Sequence, residues 1–217
     1  MINKLIIDSS FSRTPLCDLG VKYPTDKSPY NTGSASGHRH AYTAVYDMLL
    51  SPRRHLSLTV GEIGIEHNHS MMCWREYFPY ARLVGWEYYA EKLQKAHNDG
   101  LENTEYFYID VTQDGSVAKA LLAPSCMFDI IVEDSTHRFE DQVRVLQYVH
   151  SVLNPGGYFI IEDIFKSRAE SDYEQALAPY LKYYHSATFI EAEHSNRDSG
   201  TWNNDKLLVL VRNAERG

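Results

Sequence analysis

The chain has 217 residues, of which 43% are hydrophobic and 23% charged, with a formal net charge of −8. Those proportions suit one globular domain of ordinary size with a single core, so residues 1–217 are read as one unit. The acidic balance excludes nucleic acid as the main partner, because a phosphate backbone calls for a dense basic face.

In chain order, residues 1–7 are too short and too soon followed by Asp8 and two serines to be a secretion signal, and no apolar run reaches the length of a membrane span. Cys17, Cys73 and Cys126 are far apart and form no CxxC pair, which disfavours a disulfide framework or a zinc–thiolate site. A cytoplasmic protein is therefore expected, with no membrane partner. Residues 14–37 are rich in Pro, Ser, Thr, Gly and Asp, and the stretch 1–37 is expected to be irregular and to pack over a site. A helix is predicted over 38–50, stopped by Pro52.

Beyond it, short apolar runs alternate with longer amphipathic ones. Strands are predicted at 58–63, 82–86, 105–109, 128–132 and 158–161, and helices at 70–77, 89–98, 117–122, 139–153 and 173–181. The runs 187–192 and 206–211 flank a polar turn and are expected to form an antiparallel pair. Five strand–helix units closed by a hairpin imply an α/β, doubly wound, mostly parallel sheet. Ligands of such sheets sit beyond the carboxyl ends of the strands, near the point where the strand order reverses.

The residues at those ends carry the chemistry. The first predicted strand runs through Glu62 into Gly64, without the glycine fingerprint that a dinucleotide pyrophosphate needs. A phosphate-free cofactor such as S-adenosylmethionine requires fewer glycines. Glu87 ends the second strand, about 20 residues after the glycine turn, where a carboxylate binds ribose hydroxyls. Asp110 ends the third and suits an adenine amino group. Asp134 and His137 follow the fourth strand, and Glu162 and Asp163 the fifth. Clustered carboxylates in a crevice repel one another, and a divalent cation resolves the conflict. All-oxygen ligation favours Mg2+, Mn2+ or Ca2+. Asp134 or Ser135 could instead serve only as a helix cap, which leaves His137 and the Glu162–Asp163 pair unexplained.

The run Asp134-Ser135-Thr136-His137, the Pro155-Gly156-Gly157 turn and Ile160-Ile161-Glu162-Asp163 resemble the sugar O-methyltransferases of the macrocin and mycinamicin type, rhamnosyl O-methyltransferases included. Tyr23-Pro24-Thr25-Asp26-Lys27 and His40-Ala41-Tyr42 are similar to a GTDK…HxYT segment of that family. Pro24 stands where the family carries glycine, and Glu133-Asp134-Ser135-Thr136 replaces its commoner Asp-Asp-Gly-Ser. The resemblance spans residues 20–165.

It implies a class I methyltransferase, Rossmann-like fold with a seven-stranded sheet and a C-terminal antiparallel hairpin. It also implies Asp134, Glu162 and Asp163 as ligands of Mg2+ or Mn2+, with His137 as general base. Glu62, Gly64, Glu87 and Asp110 would hold S-adenosylmethionine, with Thr25, Lys27 and Tyr42 around it. The acceptor would be a sugar or glycan, a rhamnose-like deoxysugar among the candidates, and a homo-oligomer stays open. Two other functions compete: a catechol-type O-methyltransferase acting on a phenolic diol, and a non-catalytic module that binds S-adenosylmethionine or a nucleotide sugar. Tyr183, Tyr184 and Trp202 are expected to flank the mouth, where they would stack on carbohydrate.

Overall fold

The computed structural model describes residues 2–33 and 37–214. Residues 1 and 34–36 of the expected irregular N-terminal stretch lie outside the described residues. The strands are β1 (Asn3–Asp8), β2 (Thr59–Ile63), β3 (Arg82–Glu87), β4 (Thr104–Tyr108), β5 (Phe128–Glu133), β6 (Leu153–Ile161), β7 (Tyr184–Glu193) and β8 (Lys206–Arg212). They form one eight-stranded sheet in the order β1-β7-β8-β6-β5-β2-β3-β4. Every pairing is parallel except the two made by β8. The helices are α1 (Pro15–Lys22), α2 (Tyr42–Leu50), α3 (His69–Tyr77), α4 (Ala90–Asp99), α5 (Asp114–Leu122), α6 (Phe139–Val149) and α7 (Glu170–Leu177). No described helix is long and apolar enough to cross a membrane.

The central strands are apolar on both faces because helices cover both, and the two-residue period sorts their side chains into two cores. Val60, Leu83, Ile130, Val132 and Ile160 pack with α1, α2 and α3. Ile63, Val84, Trp86, Ile131, Phe159 and Ile161 pack with α5, α6 and α7. Each fully buried aliphatic or aromatic side chain of this kind stabilises the fold by about 1.5–3 kcal/mol. The same parity decides where the polar residues that follow them point.

Several boundaries depart from the sequence expectation. The sheet has eight strands rather than seven, because Asn3–Asp8 pairs in parallel with Thr188–Glu193 at the edge. The stretch expected to be irregular also contains α1, capped by the Thr14 side chain and begun by Pro15. Helix α2 starts at Tyr42, leaving His38 and His40 on a loop where Arg39 bridges Asp198. Helix α6 ends at Val149, since Leu153 is already paired with Phe128. The Pro155-Gly156 break falls inside the irregular start of β6, where Gly156 has a φ of 72°.

The polarity of β7 sets what reaches the mouth of the crevice. It runs parallel to β1 and antiparallel to β8, so Tyr184 begins it at the floor of the sheet and Glu193 ends it at the top. Tyr184 is buried and Tyr183 stacks on His150, with ring centroids 4.3 Å apart. Both tyrosines are therefore corrected to floor residues. Of the three expected aromatics, Trp202 alone borders the crevice, on the 194–205 loop between β7 and β8.

Candidate active site

At the switch point between β2 and β5, the chain after β2 turns through Gly64 at a φ of 89°. A Cβ there would stand 2.1 Å from the Asp134 carbonyl oxygen, so only glycine lets the two loops meet. Glu87, buried at the end of β3, accepts backbone N–H groups from Tyr88 at 2.8 Å and Tyr89 at 3.0 Å on one oxygen. Its other oxygen accepts from Glu66 at 3.0 Å. Asp110 accepts from the Thr112 N–H at 2.9 Å and the Thr112 hydroxyl at 2.7 Å. Gly64, Glu87, Asp110, Asp134, His137 and Trp202 line one cavity of about 580 Å3, a volume ordinary for a small-molecule site.

A smaller recess of about 110 Å3 adjoins it, and Thr25, Lys27, Glu62, Gly64 and Asp134 are among its walls. Parity turns Glu62 toward α3, where Ser70 donates to it at 2.6 Å and the Trp74 indole N–H donates to its second oxygen. Glu62 is thus a buried anchor at the bottom of this recess. Tyr42 lines neither of these two cavities. Its hydroxyl lies 2.7 Å from Asp163 Oδ1 and 3.0 Å from the Asn204 carbonyl, so it braces the reacting centre from below.

The Lys27 ammonium sits among three carboxylates. It donates to Asp134, reaches Glu162 at 2.5 Å and lies 3.7 Å from Glu62. Burial works against its charge, but Asp134, Glu162 and Glu62 overcome this and hold its pKa above the usual lysine value. Burial lifts Asp134 well above the usual carboxylate range and Glu162 to about 7, with Lys27 opposing both shifts. Glu162 shares the parity of Ile160, so it points toward α2, where the Tyr46 hydroxyl donates to it. In this structure Glu162 stands behind Lys27.

Asp163 leaves the strand at a φ of 55°, and His137 has a φ of 59°. Both lie in the left-handed region that residues other than glycine seldom adopt, and such strain gathers at functional sites. His137 Nδ1 is 2.7 Å from Asp163 Oδ2, and its Nε2 is 3.9 Å from Asp134 Oδ1. The first contact is an ion pair whose ring N–H points off the oxygen. Burial disfavours the imidazolium, yet Asp163 and Asp134 push the His137 pKa up to about 10. On the far side of Asp163, His40 Nε2 is 3.7 Å from Oδ1, while His40 Nδ1 is 2.9 Å from Asp205. Burial again opposes the charge, and Asp163 with Asp205 brings His40 to about 9. Burial alone would raise Asp163, but the two imidazoliums hold it well below the usual carboxylate range.

This cluster draws positive charge, and that is the property a cation site needs. Asp134, His137 and Asp163 each offer a ligand atom, all within 4.8 Å of one another. Glu162 is the next residue along the chain from Asp163, with its carboxylate turned to Lys27. His40, Tyr46 and Asn204 belong to the site and escape a reading of strand ends. Tyr42 and Tyr46 do carry a signal, being four apart on one helical face.

A mostly parallel doubly wound sheet, a glycine turn after its first central strand, acidic ends on the next two, and one antiparallel strand inserted near the edge define the class I methyltransferase fold. Residues 61–208 match the methyltransferase domain family, and the chain belongs to it. It is 25% identical over 134 residues to the 8-demethyl-8-(2-methoxy-alpha-L-rhamnosyl)-tetracenomycin-C 3'-O-methyltransferase of Streptomyces olivaceus, covering 58% of this chain and 33% of that protein. It is 22% identical over 171 residues to the L-olivosyl-oleandolide 3-O-methyltransferase of Streptomyces antibioticus, covering 75% and 41%.

Among solved structures, the MycE methyltransferase of the mycinamycin biosynthetic pathway, in complex with Mg, SAH and mycinamycin VI, superposes with a TM-score of 0.69 at 17% identity. That match covers 95% of this chain and 57% of MycE. The resemblance to sugar O-methyltransferases read from the motifs is thus shared by these relatives. The chain spans between 33% and 41% of the length of the curated relatives it matches.

Proposed function

We propose that this chain transfers a methyl group from S-adenosylmethionine to a sugar hydroxyl with the help of a divalent cation. The acceptor would be a glycoside, glycan or nucleotide sugar, and the rhamnosyl and olivosyl relatives favour a deoxysugar. The observation that carries this reading is the meeting of Asp134, His137 and Asp163 at one mouth of a cavity whose other wall is Glu87 and Asp110.

S-adenosylmethionine, when bound, supplies a methyl group on a positively charged sulfur, and an acidic cavity suits that charge. Glu87 keeps lone pairs to accept from ribose hydroxyls while its backbone donors fix its orientation. Asp110 would accept from the adenine amino group, and Gly64 leaves room for the cofactor between them. Thr25 and Lys27 close the recess beside Asp134. Asp134 and Asp163 would hold Mg2+ or Mn2+, with Glu162 behind them; such an ion supplies positive charge that acidifies a neighbouring hydroxyl.

His137 would act as general base in its neutral form: Asp163 and Asp134 alone favour the imidazolium, and a divalent cation held by these two carboxylates would offset that preference. The His137 Nδ1 rests on Asp163, which leaves Nε2 to take the hydroxyl proton. Tyr42 and His40 fix Asp163 so that the imidazole is presented at one angle. Alignment of oxygen, methyl carbon and sulfur provides the remaining acceleration.

The test is methyl transfer from labelled S-adenosylmethionine to a panel of L-rhamnosides and L-olivosides, read by mass. Transfer is expected with Mg2+ or Mn2+ present, abolished by EDTA and restored by either ion. Full activity in EDTA would overturn the cation, and methylation of catechols but no glycoside would overturn the sugar.

A further inference from the structure

Asn204, next to last in the 194–205 loop, is 1% exposed and lines the cavity of about 580 Å3 with His137, Asp163 and Trp202. Its backbone is fixed. The Asn204 carbonyl accepts the Lys206 N–H at 2.7 Å and lies 3.0 Å from the Tyr42 hydroxyl, which also meets Asp163 at 2.7 Å. One tyrosine therefore sets where Asn204 stands relative to Asp163. Yet both ends of its side-chain amide, Nδ2 and Oδ1, are buried without a hydrogen-bond partner among the described residues. A buried amide left unpaired destabilises a fold, so its presence beside the reacting groups points to a ligand.

The chemistry of that ligand follows from the amide. It offers one donating end and one accepting end, which suits hydroxyl groups, because each hydroxyl both donates and accepts. The ribose of the cofactor is the wrong source. Glu87 ends β3 and Asn204 leads into β8, and the order β8-β6-β5-β2-β3 puts four inter-strand steps between them, about 19 Å. Asn204 instead lies on the Trp202 side. Trp202 is 49% exposed, stacks on Phe165 with centroids 6.1 Å apart, and meets His137 edge-on at 6.3 Å. An aromatic wall next to a hydroxyl-binding amide fits a pyranose, which has an apolar C–H face and a polar rim.

We propose that Asn204 is a specificity residue for the acceptor: its amide binds the hydroxyl next to the one that His137 deprotonates. The enzyme then selects sugars whose neighbouring hydroxyl is free. This rests on the sugar methyl-transfer reading above.

The experiment compares the wild type with N204L, which keeps the branched heavy-atom shape of the side chain but removes the amide, on methyl α-L-rhamnoside and its three monodeoxy analogues, with S-adenosylmethionine and Mg2+. In the wild type, one analogue that keeps the reacting hydroxyl should lose about 10–100-fold in kcat/KM. N204L should fall by a similar factor on the parent rhamnoside and no longer distinguish that analogue. Its S-adenosylhomocysteine affinity should be unchanged, because Glu87 and Asp110 are untouched. An N204L enzyme that still discriminates overturns the inference alone. N204A serves the same comparison if N204L does not fold. A wild type that methylates no rhamnoside overturns the sugar reading and this inference with it.

Discussion

The two halves of the crevice solve the same problem in opposite ways. On the β2–β4 side, Glu87 and Asp110 are satisfied by donors close at hand, mostly backbone N–H groups one or two residues on, and they stand ready for a ligand. On the β5–β8 side, carboxylates are neutralised by cations brought from far along the chain. Lys27 reaches Asp134 across 107 residues and Glu162 across 135, and His40 reaches Asp205 across 165. The first half is built from local turns and the second from tertiary contacts. A cofactor pocket with prepaired carboxylates can stay rigid, whereas a reacting centre keeps its charges in tension.

That contrast is sharpest at His137. Its replacement by alanine is expected to lower methyl transfer by about 10²–10⁴-fold, while S-adenosylhomocysteine affinity, measured by calorimetry, stays within about twofold of wild type because Glu87 and Asp110 are untouched. A parallel loss of both would show that the halves are not separate. Next in size, Lys27→Met strips the shared cation from Glu62, Asp134 and Glu162. Urea unfolding should show a loss of about 3–5 kcal/mol, the range for breaking a buried pair, and a loss below about 1 kcal/mol would contradict the charge assignment.

Gly64→Ala attacks the seam where the halves touch. Backbone strain and the clash with Asp134 together should cost about 2–4 kcal/mol, read in the same urea experiment; a neutral result would mean the loops separate freely. The smallest effect concerns Asp205. Burial alone would raise its pKa, but hydrogen bonds from His40 and Ser199 hold it below the usual carboxylate value. A depressed carboxylate contributes stability above its unfolded pKa of about 3.9 and loses it as the pH falls through the lower folded value. D205N should thus melt lower than wild type at neutral pH, by about 1–2 kcal/mol of stability, and the gap should narrow as the pH falls below the unfolded value through the lower folded one. A gap of equal size across that range would place the effect in packing instead.

The same division explains what could be read from the sequence. Strands β2, β3, β5 and β6 announce themselves because they contain buried runs of apolar, often β-branched residues with acidic residues at or near their ends. Gly64, Glu87, Asp110, Asp134, His137 and Asp163 are visible for the same reason, standing where such strands stop. Strand β1 is not visible, because Leu5 and Ile6 are exposed at a sheet edge and its partner β7 lies almost the whole chain away. Glu162 and Asp163 look equivalent in sequence, yet the two-residue period assigns one to Lys27 and leaves the other to the crevice. Tyr42 reads as a ligand contact from its motif, and the fold adds a contact to Asp163 that the motif does not announce. Asn204 has no periodic signal, since only the folding of the 194–205 loop gives its amide a place.

The most direct test is a crystal grown with S-adenosylhomocysteine and Mn2+, examined for anomalous scattering. The expected result is a Mn2+ peak in contact with Asp134 and Asp163 on the β5–β6 side, with the nucleoside lying against Glu87 and Asp110. Absence of any peak at those carboxylates while the nucleoside is bound, or a nucleoside lying across His137 and Trp202, would contradict the division of the crevice into a cofactor half and a reacting half.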